Sequence, residues 1–113
     1  MYNKKLTLAL CLLLVFATFK SSYAEEVFVK YRGLVNLSNF SCPQIKPSSV
    51  VNDICYDSKN NYLLVQLKST YYHYCEVPLS VYNSWVNSES LGKFYNIYIK
   101  GNYDCRLSLP PQY

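Results

Sequence analysis

The single histidine, His73, lies in a run of rings, between Tyr71, Tyr72 and Tyr74, with Lys68 just ahead of it. An imidazole of that kind serves as a general base only when a nucleophile is in reach and an acid, here Glu76 or Asp53, orients it. No nucleophile stands at a recognisable turn, and no glycine-rich phosphate loop or cofactor motif is present, so no cofactor is expected. Carboxylate pairs for glycoside work can be drawn among Asp53, Asp57 and Glu76, but seven scattered acids always offer some pair. One histidine and no CxxC leave neither a metal site nor a redox pair, so no metal is expected either. Recognition is the chemistry this spacing supports. On a strand, Tyr72 and Tyr74 share one face while Tyr71 and His73 share the other, a platform for stacking on bases, sugars or peptide side chains to which Lys68 adds a charge.

Residues 1–24 are set aside before the elements that position this run are read. Lys4 and Lys5 precede an apolar run from Leu6 to Phe19, and Ser22-Tyr23-Ala24 puts small residues where a signal peptidase reads them. The run is shorter than the roughly 20 residues that cross a bilayer core, so it reads as a cleaved signal peptide, and no membrane span remains after cleavage. The expected address is secreted or periplasmic. Lys4, Lys5 and Lys20 leave with the leader, so eight of the eleven basic residues face all seven acids, a balance of +1. No basic run survives to attract phosphate or anionic lipid.

Cys11 also leaves, and Cys42, Cys55, Cys75 and Cys105 remain, which in an exported chain means two disulfides. A domain this small buries only about 60–65% of its unfolded surface, and each cross-link adds on the order of 3–4 kcal/mol. Of thirteen tyrosines, Tyr2 and Tyr23 fall in the leader, and the eleven that remain exceed what so small a core can hide with every hydroxyl satisfied.

Residues 25–47 read as an N-terminal extension. Val27 to Leu37 alternates as a short first strand, and a loop from Ser38 to Ser49 with Pro43 and Pro47 separates it from the rest. Val50 to Tyr56 is a strand, Asp57 to Asn61 a turn, and Tyr62 to Lys68 a strand with Leu63, Val65 and Leu67 inward and Leu64, Gln66 and Lys68 outward. Ser69 and Thr70 turn into a third strand, Tyr71 to Val77. Pro78 opens a helix over Leu79 to Ser90 with Val81, Tyr82, Trp85 and Val86 as its apolar face, and Phe94 to Ile99 alternates as a last strand. The expected fold class is α+β: a small, mostly antiparallel sheet, β-β-β-α-β with an N-terminal β extension, one helix and two disulfides. One helix covers one face, so the other face is expected to present two rings.

Cysteine pairing stays open on these grounds. In a plain meander Cys55 and Cys75 flank the middle strand at about 9–10 Å, too far to bridge, and that pairing falls with its complement Cys42–Cys105. The place of the last strand then sets Cys105 near Cys55 or near Cys75, and a coiled sheet reopens the first option.

The order Ser48-Ser49, Ile54 with Tyr56-Asp57, Leu63-x-Val65-x-Leu67, Tyr72-His73-Tyr74, Val77-Pro78, Val81-Tyr82, Ser90-x-Gly92 and Phe94-Tyr95-Asn96 resembles the KTSC family. That family is named for a C-terminal region of some lysyl-tRNA synthetases, and it also occurs as single-domain bacterial proteins. The resemblance sets a KTSC-like domain at 48–105 and leaves 106–113 as a C-terminal tail. It also favours a bacterial source, in which the sequons at Asn36 and Asn39 are chance. Nucleic-acid binding is the role the synthetase attachment implies for the family.

The expected function is therefore an exported, disulfide-stabilised binding module, not an enzyme, using the sheet face around Tyr71, Tyr72, His73 and Tyr74 with Lys68. A protein, peptide or envelope glycan is favoured as partner over RNA or single-stranded DNA. A hydrolase using His73 ranks last.

Overall fold

The computed structural model describes residues 25–113, and the expected leader lies outside them. Five strands form one sheet in the order β2-β1-β5-β4-β3. They are β1 (Glu26–Val29), β2 (Gly33–Asn36), β3 (Val51–Asp57), β4 (Tyr62–Leu67) and β5 (Thr70–Tyr74). All neighbours are antiparallel except β1 and β5, which run parallel and meet at Val29 and Tyr71. The extension is therefore a hairpin in the same sheet, not a separate piece; Pro43 and Pro47 lie in the loop that carries the chain across to β3.

The turn chemistry places β3 and β4. Asp57 accepts from the Lys59 N–H at 3.0 Å and from the Asn60 amide at 2.7 Å, and Asn61 takes a φ of 50° to complete the reversal. A register shift between Val51 and Asp53 then puts Val51 on the same face as Ile54 and Tyr56.

That face carries the larger core. Ile54, Tyr56, Leu63 and Val65 pack beneath α1 (Leu79–Val86), α2 (Leu91–Phe94) and a π-helical turn, Tyr95–Ile99, with Trp85 fully buried at the centre. Tyr56 stacks on Tyr82 at 4.3 Å and donates its hydroxyl to the Val77 carbonyl at 2.7 Å.

The helix expected over Leu79 to Ser90 ends at Val86, because Ser88 Oγ and N–H both donate to the Trp85 carbonyl. Ser90 opens a second helix by accepting from the Lys93 N–H at 3.2 Å. The expected strand at 94–99 is thus corrected to helix. Tyr95 and Ile99 are buried four residues apart while Ile97 and Tyr98 are exposed, and the Lys100 N–H reaches back to the Tyr95 carbonyl. Neither place expected for such a strand is filled by it: the outer edge of β3 bridges to Ser41, and the neighbour of β5 at Tyr71 is β1.

The second face is covered as well, which corrects the expected outward-facing row. Leu64 is as buried as Leu63, in a core with Val29, Val35, Leu37, Cys55, Tyr62, Cys75 and Cys105. The lid over it comes from Leu37 and Phe40 and from the C-terminal Tyr113, whose ring lies 5.1 Å from Phe40. Two disulfides hold the rim, Cys42–Cys55 and Cys75–Cys105. The second agrees with the option that placed Cys105 near Cys75, although a loop after the π-helical turn brings it there and not a strand.

Candidate functional site

Both faces are covered over β3 and β4, whereas Phe28 and Leu34 of the β1–β2 hairpin stay exposed, and the run from Tyr71 to Tyr74 is divided among four surroundings. Tyr71 turns to the second core and donates to Asp53 at 2.5 Å, with its phenol pKa raised by burial and by that carboxylate. Tyr74 lies under the helices with its hydroxyl 2.7 Å from that of Tyr95, and burial raises its pKa as well. His73 points to the second face, diagonal to Tyr62, whose hydroxyl lies 2.8 Å from Nδ1. Tyr72 is half-buried, and its hydroxyl carries no hydrogen bond among the described residues.

What remains open is an edge. β1 stops at Val29 and turns away through Tyr31, at φ 71°, so β5 loses its neighbour past Tyr71. A cleft of about 740 Å³ opens there, between Tyr31 and the segment from Gly101 to Arg106, and its lining includes Tyr72, His73 and Tyr74. Sequence reasoning thus named three members of this site and missed Tyr31, Asn102, Asp104 and Arg106. The signal that could have found the last two is Cys105 between them, since its disulfide to Cys75 docks them against β5.

Lys68 is not among the cleft residues; it occupies the turn that begins β5, at φ 56°. The cation beside the cleft is Lys30, its Nζ 5.3 Å from the Tyr31 ring centroid and 5.6 Å from that of Tyr72. Arg106 pairs with Asp104 at 2.6 Å on the opposite wall, and that contact holds the Asp104 carboxyl down at about 2. The cleft therefore offers rings, an exposed ion pair and one further cation beside it, a surplus of a single positive charge.

The surroundings of His73 favour its neutral form. Burial lowers its pKa, the Arg32 guanidinium lowers it further, and Asp104 opposes both. Arg32 is wedged between the rings of Tyr62 and Tyr113 at 5.1 and 5.2 Å and donates to the Pro111 carbonyl. Behind it Tyr113 donates to the buried Asp57 at 2.6 Å. Neither Glu76 nor Asp53, the acids considered for orienting His73, is hydrogen-bonded to it; its partner is a phenol. Among the described residues no three His, Cys, Asp or Glu side chains converge as metal ligands, and no helix is long and apolar enough to cross a membrane.

Comparison with known proteins adds the family. The KTSC domain model matches residues 47–103, half of the chain. The crystal structure of a KTSC domain protein from Yersinia pestis is similar at 29% identity, with a TM-score of 0.52 over 57% of this chain and 93% of that one. No curated protein matches.

Proposed function

The chain belongs to the KTSC domain family, and from that premise we propose that it is an exported binding module whose ligand occupies the cleft at the free edge of β5. The observation that carries the reading is the pairing of two accessible rings, Tyr31 and Tyr72, with a neutral imidazole and the Asp104–Arg106 pair in one open cleft. Rings that can stack and polar groups already fixed in place suit an extended protein segment, a peptide or a glycan. Nucleic acid is disfavoured, because phosphate neutralisation calls for several unpaired cations and this cleft has Lys30 beside it with Arg106 already paired. The two disulfides suit a secreted or periplasmic setting. Binding without turnover fits a histidine held by a phenol and, among the described residues, four cysteines joined in two pairs.

The test is an NMR titration of the oxidised protein, exported with its own leader, against three probes. These are a capped pentapeptide of alternating threonine and valine, chitohexaose, and a mixed-sequence single-stranded DNA at low and high salt. The reading expects shifts confined to Tyr31, Tyr72 to Tyr74 and Asn102 to Arg106, from the peptide or the sugar. Shifts from the DNA alone, fading with salt, would replace it with the nucleic-acid role.

A further inference from the structure

Along the edge of β5 that faces away from β4, one main-chain rung has no partner. In an antiparallel ladder alternate residues spend their N–H and C=O on the same neighbour. The Tyr71 carbonyl accepts from the Lys30 N–H at 2.9 Å, and the Cys75 N–H donates to the Tyr103 carbonyl at 2.9 Å, so both residues face away from β4. By the same alternation His73, midway between them and opposite Leu64 in the register, turns its N–H and C=O to that edge, and Thr70, Tyr72 and Tyr74 turn theirs toward β4. Neither main-chain group of His73 has a partner among the described residues. The rung opens into the cleft between Tyr31 and Arg106.

The opposite edge of the sheet shows how the chain fills such a rung. There Tyr56 exchanges both main-chain hydrogen bonds with Ser41, at 2.8 and 2.9 Å, in an isolated one-residue bridge. At His73 the corresponding donor and acceptor stand ready, and no segment of the described chain reaches them.

We propose that the His73 rung takes the backbone of an extended peptide in a one-residue β-bridge, with the peptide's side chains against the rings of Tyr31 and Tyr72 and its polar groups against Asp104 and Arg106. This rests on the cleft reading and narrows it. A donor and an acceptor held on one strand edge at ladder spacing match a peptide unit, which presents the same pair in reverse; a sugar ring has no such fixed pair. Tyr71 and Cys75, closed on either side, are four residues apart, roughly 13 Å of strand, so the segment crosses the edge and does not extend the sheet over a long stretch.

The experiment compares two substitutions at one residue, using the capped threonine–valine pentapeptide and the oxidised, exported protein. His73→Ala removes the imidazole from the cleft and keeps the main-chain N–H, whereas His73→Pro removes both and is expected to bind at least about tenfold more weakly than His73→Ala. Proline is tolerated where a strand's N–H points to a free edge, so the fold should survive. Equal losses in the two variants would overturn the bridge. Should the proline variant fail to fold, a pentapeptide methylated at its valine nitrogens replaces it; the bridge predicts a comparable loss, and undiminished binding overturns it. Chitohexaose shifting Tyr31 and Tyr72 with no response to peptide would overturn the bridge and leave the cleft. No response to either probe would overturn both.

Discussion

The hydroxyl of Tyr62 and Nδ1 of His73 meet at 2.8 Å on the second face of the sheet, so the only imidazole of the chain is held by a buried phenol and flanked by Arg32. Burial of the ring disfavours its charged form, and protonation would place a second cation beside the Arg32 guanidinium. The His73 pKa is therefore below its usual value.

The sign of the pH dependence follows. The unfolded chain takes up a proton near pH 6.5 and the folded one does so only lower. The contribution of neutral His73 is thus complete above about pH 6.5 and is lost as pH falls through the folded value. Thermal midpoints followed across that range should decline on acidification, and His73→Gln should remove this component. An imidazole NMR titration centred above the ordinary value would refute it.

Tyr113→Phe should loosen the C-terminal strap. Its hydroxyl donates to Asp57, whose carboxyl burial raises but which hydrogen bonds from Tyr113, Asn60 and Lys59 bring below its ordinary value. Loss of one bond to a buried carboxylate costs about 1–2 kcal/mol. Asp57 contributes stability that is present above pH 3.8 and lost as pH falls through the lower folded value, so the variant's acid-unfolding midpoint should move up. Denaturant melts at two pH values measure both effects.

Removing Cys75–Cys105, as the double alanine variant, should release the cleft wall from Gly101 to Arg106. Removing Cys42–Cys55 should leave that wall in place. Loop-closure entropy for separations of 30 and 13 residues gives roughly 3.5 and 3 kcal/mol, so the two variants lose similar stability. They differ in where amide exchange accelerates, which hydrogen-exchange NMR reads directly.

Gly92→Ala should stabilise the protein by about 0.5–1 kcal/mol. Gly92 lies in the first turn of α2, and an added Cβ would meet Ser48 Oγ at 3.6 Å and Val50 at 3.9 Å, ordinary contacts. A lower denaturant midpoint would show that this approach is tighter than it stands.

The sheet and its first helix were legible because their signals are local: alternation in β3 and β4, the Asp57 to Asn61 turn, and Pro78 ahead of an apolar stripe. The π-helical turn was not, since Phe94 to Ile99 satisfies a period of two as well as a spacing of four, and only the Ser90 cap separates the readings. Burial of Leu64 was hidden for another reason. Its cover comes from Leu37 and Phe40 upstream and Tyr113 at the far end, long-range contacts that no window along β4 contains. The same limit applies to the cleft. Tyr72, His73 and Tyr74 stood out as a run, but Tyr31 and Arg106 join them only through the β1–β5 pairing and the Cys75–Cys105 bond.

The most direct measurement is hydrogen exchange of the β5 amides, followed by NMR with and without the capped pentapeptide. In the free protein the N–H groups of Tyr72 and Tyr74 should be protected by β4 while that of His73 exchanges rapidly, and peptide at millimolar concentration should slow His73 selectively. A His73 amide already protected in the free protein, or one unmoved by the peptide, would contradict the assignment of this edge as the binding site.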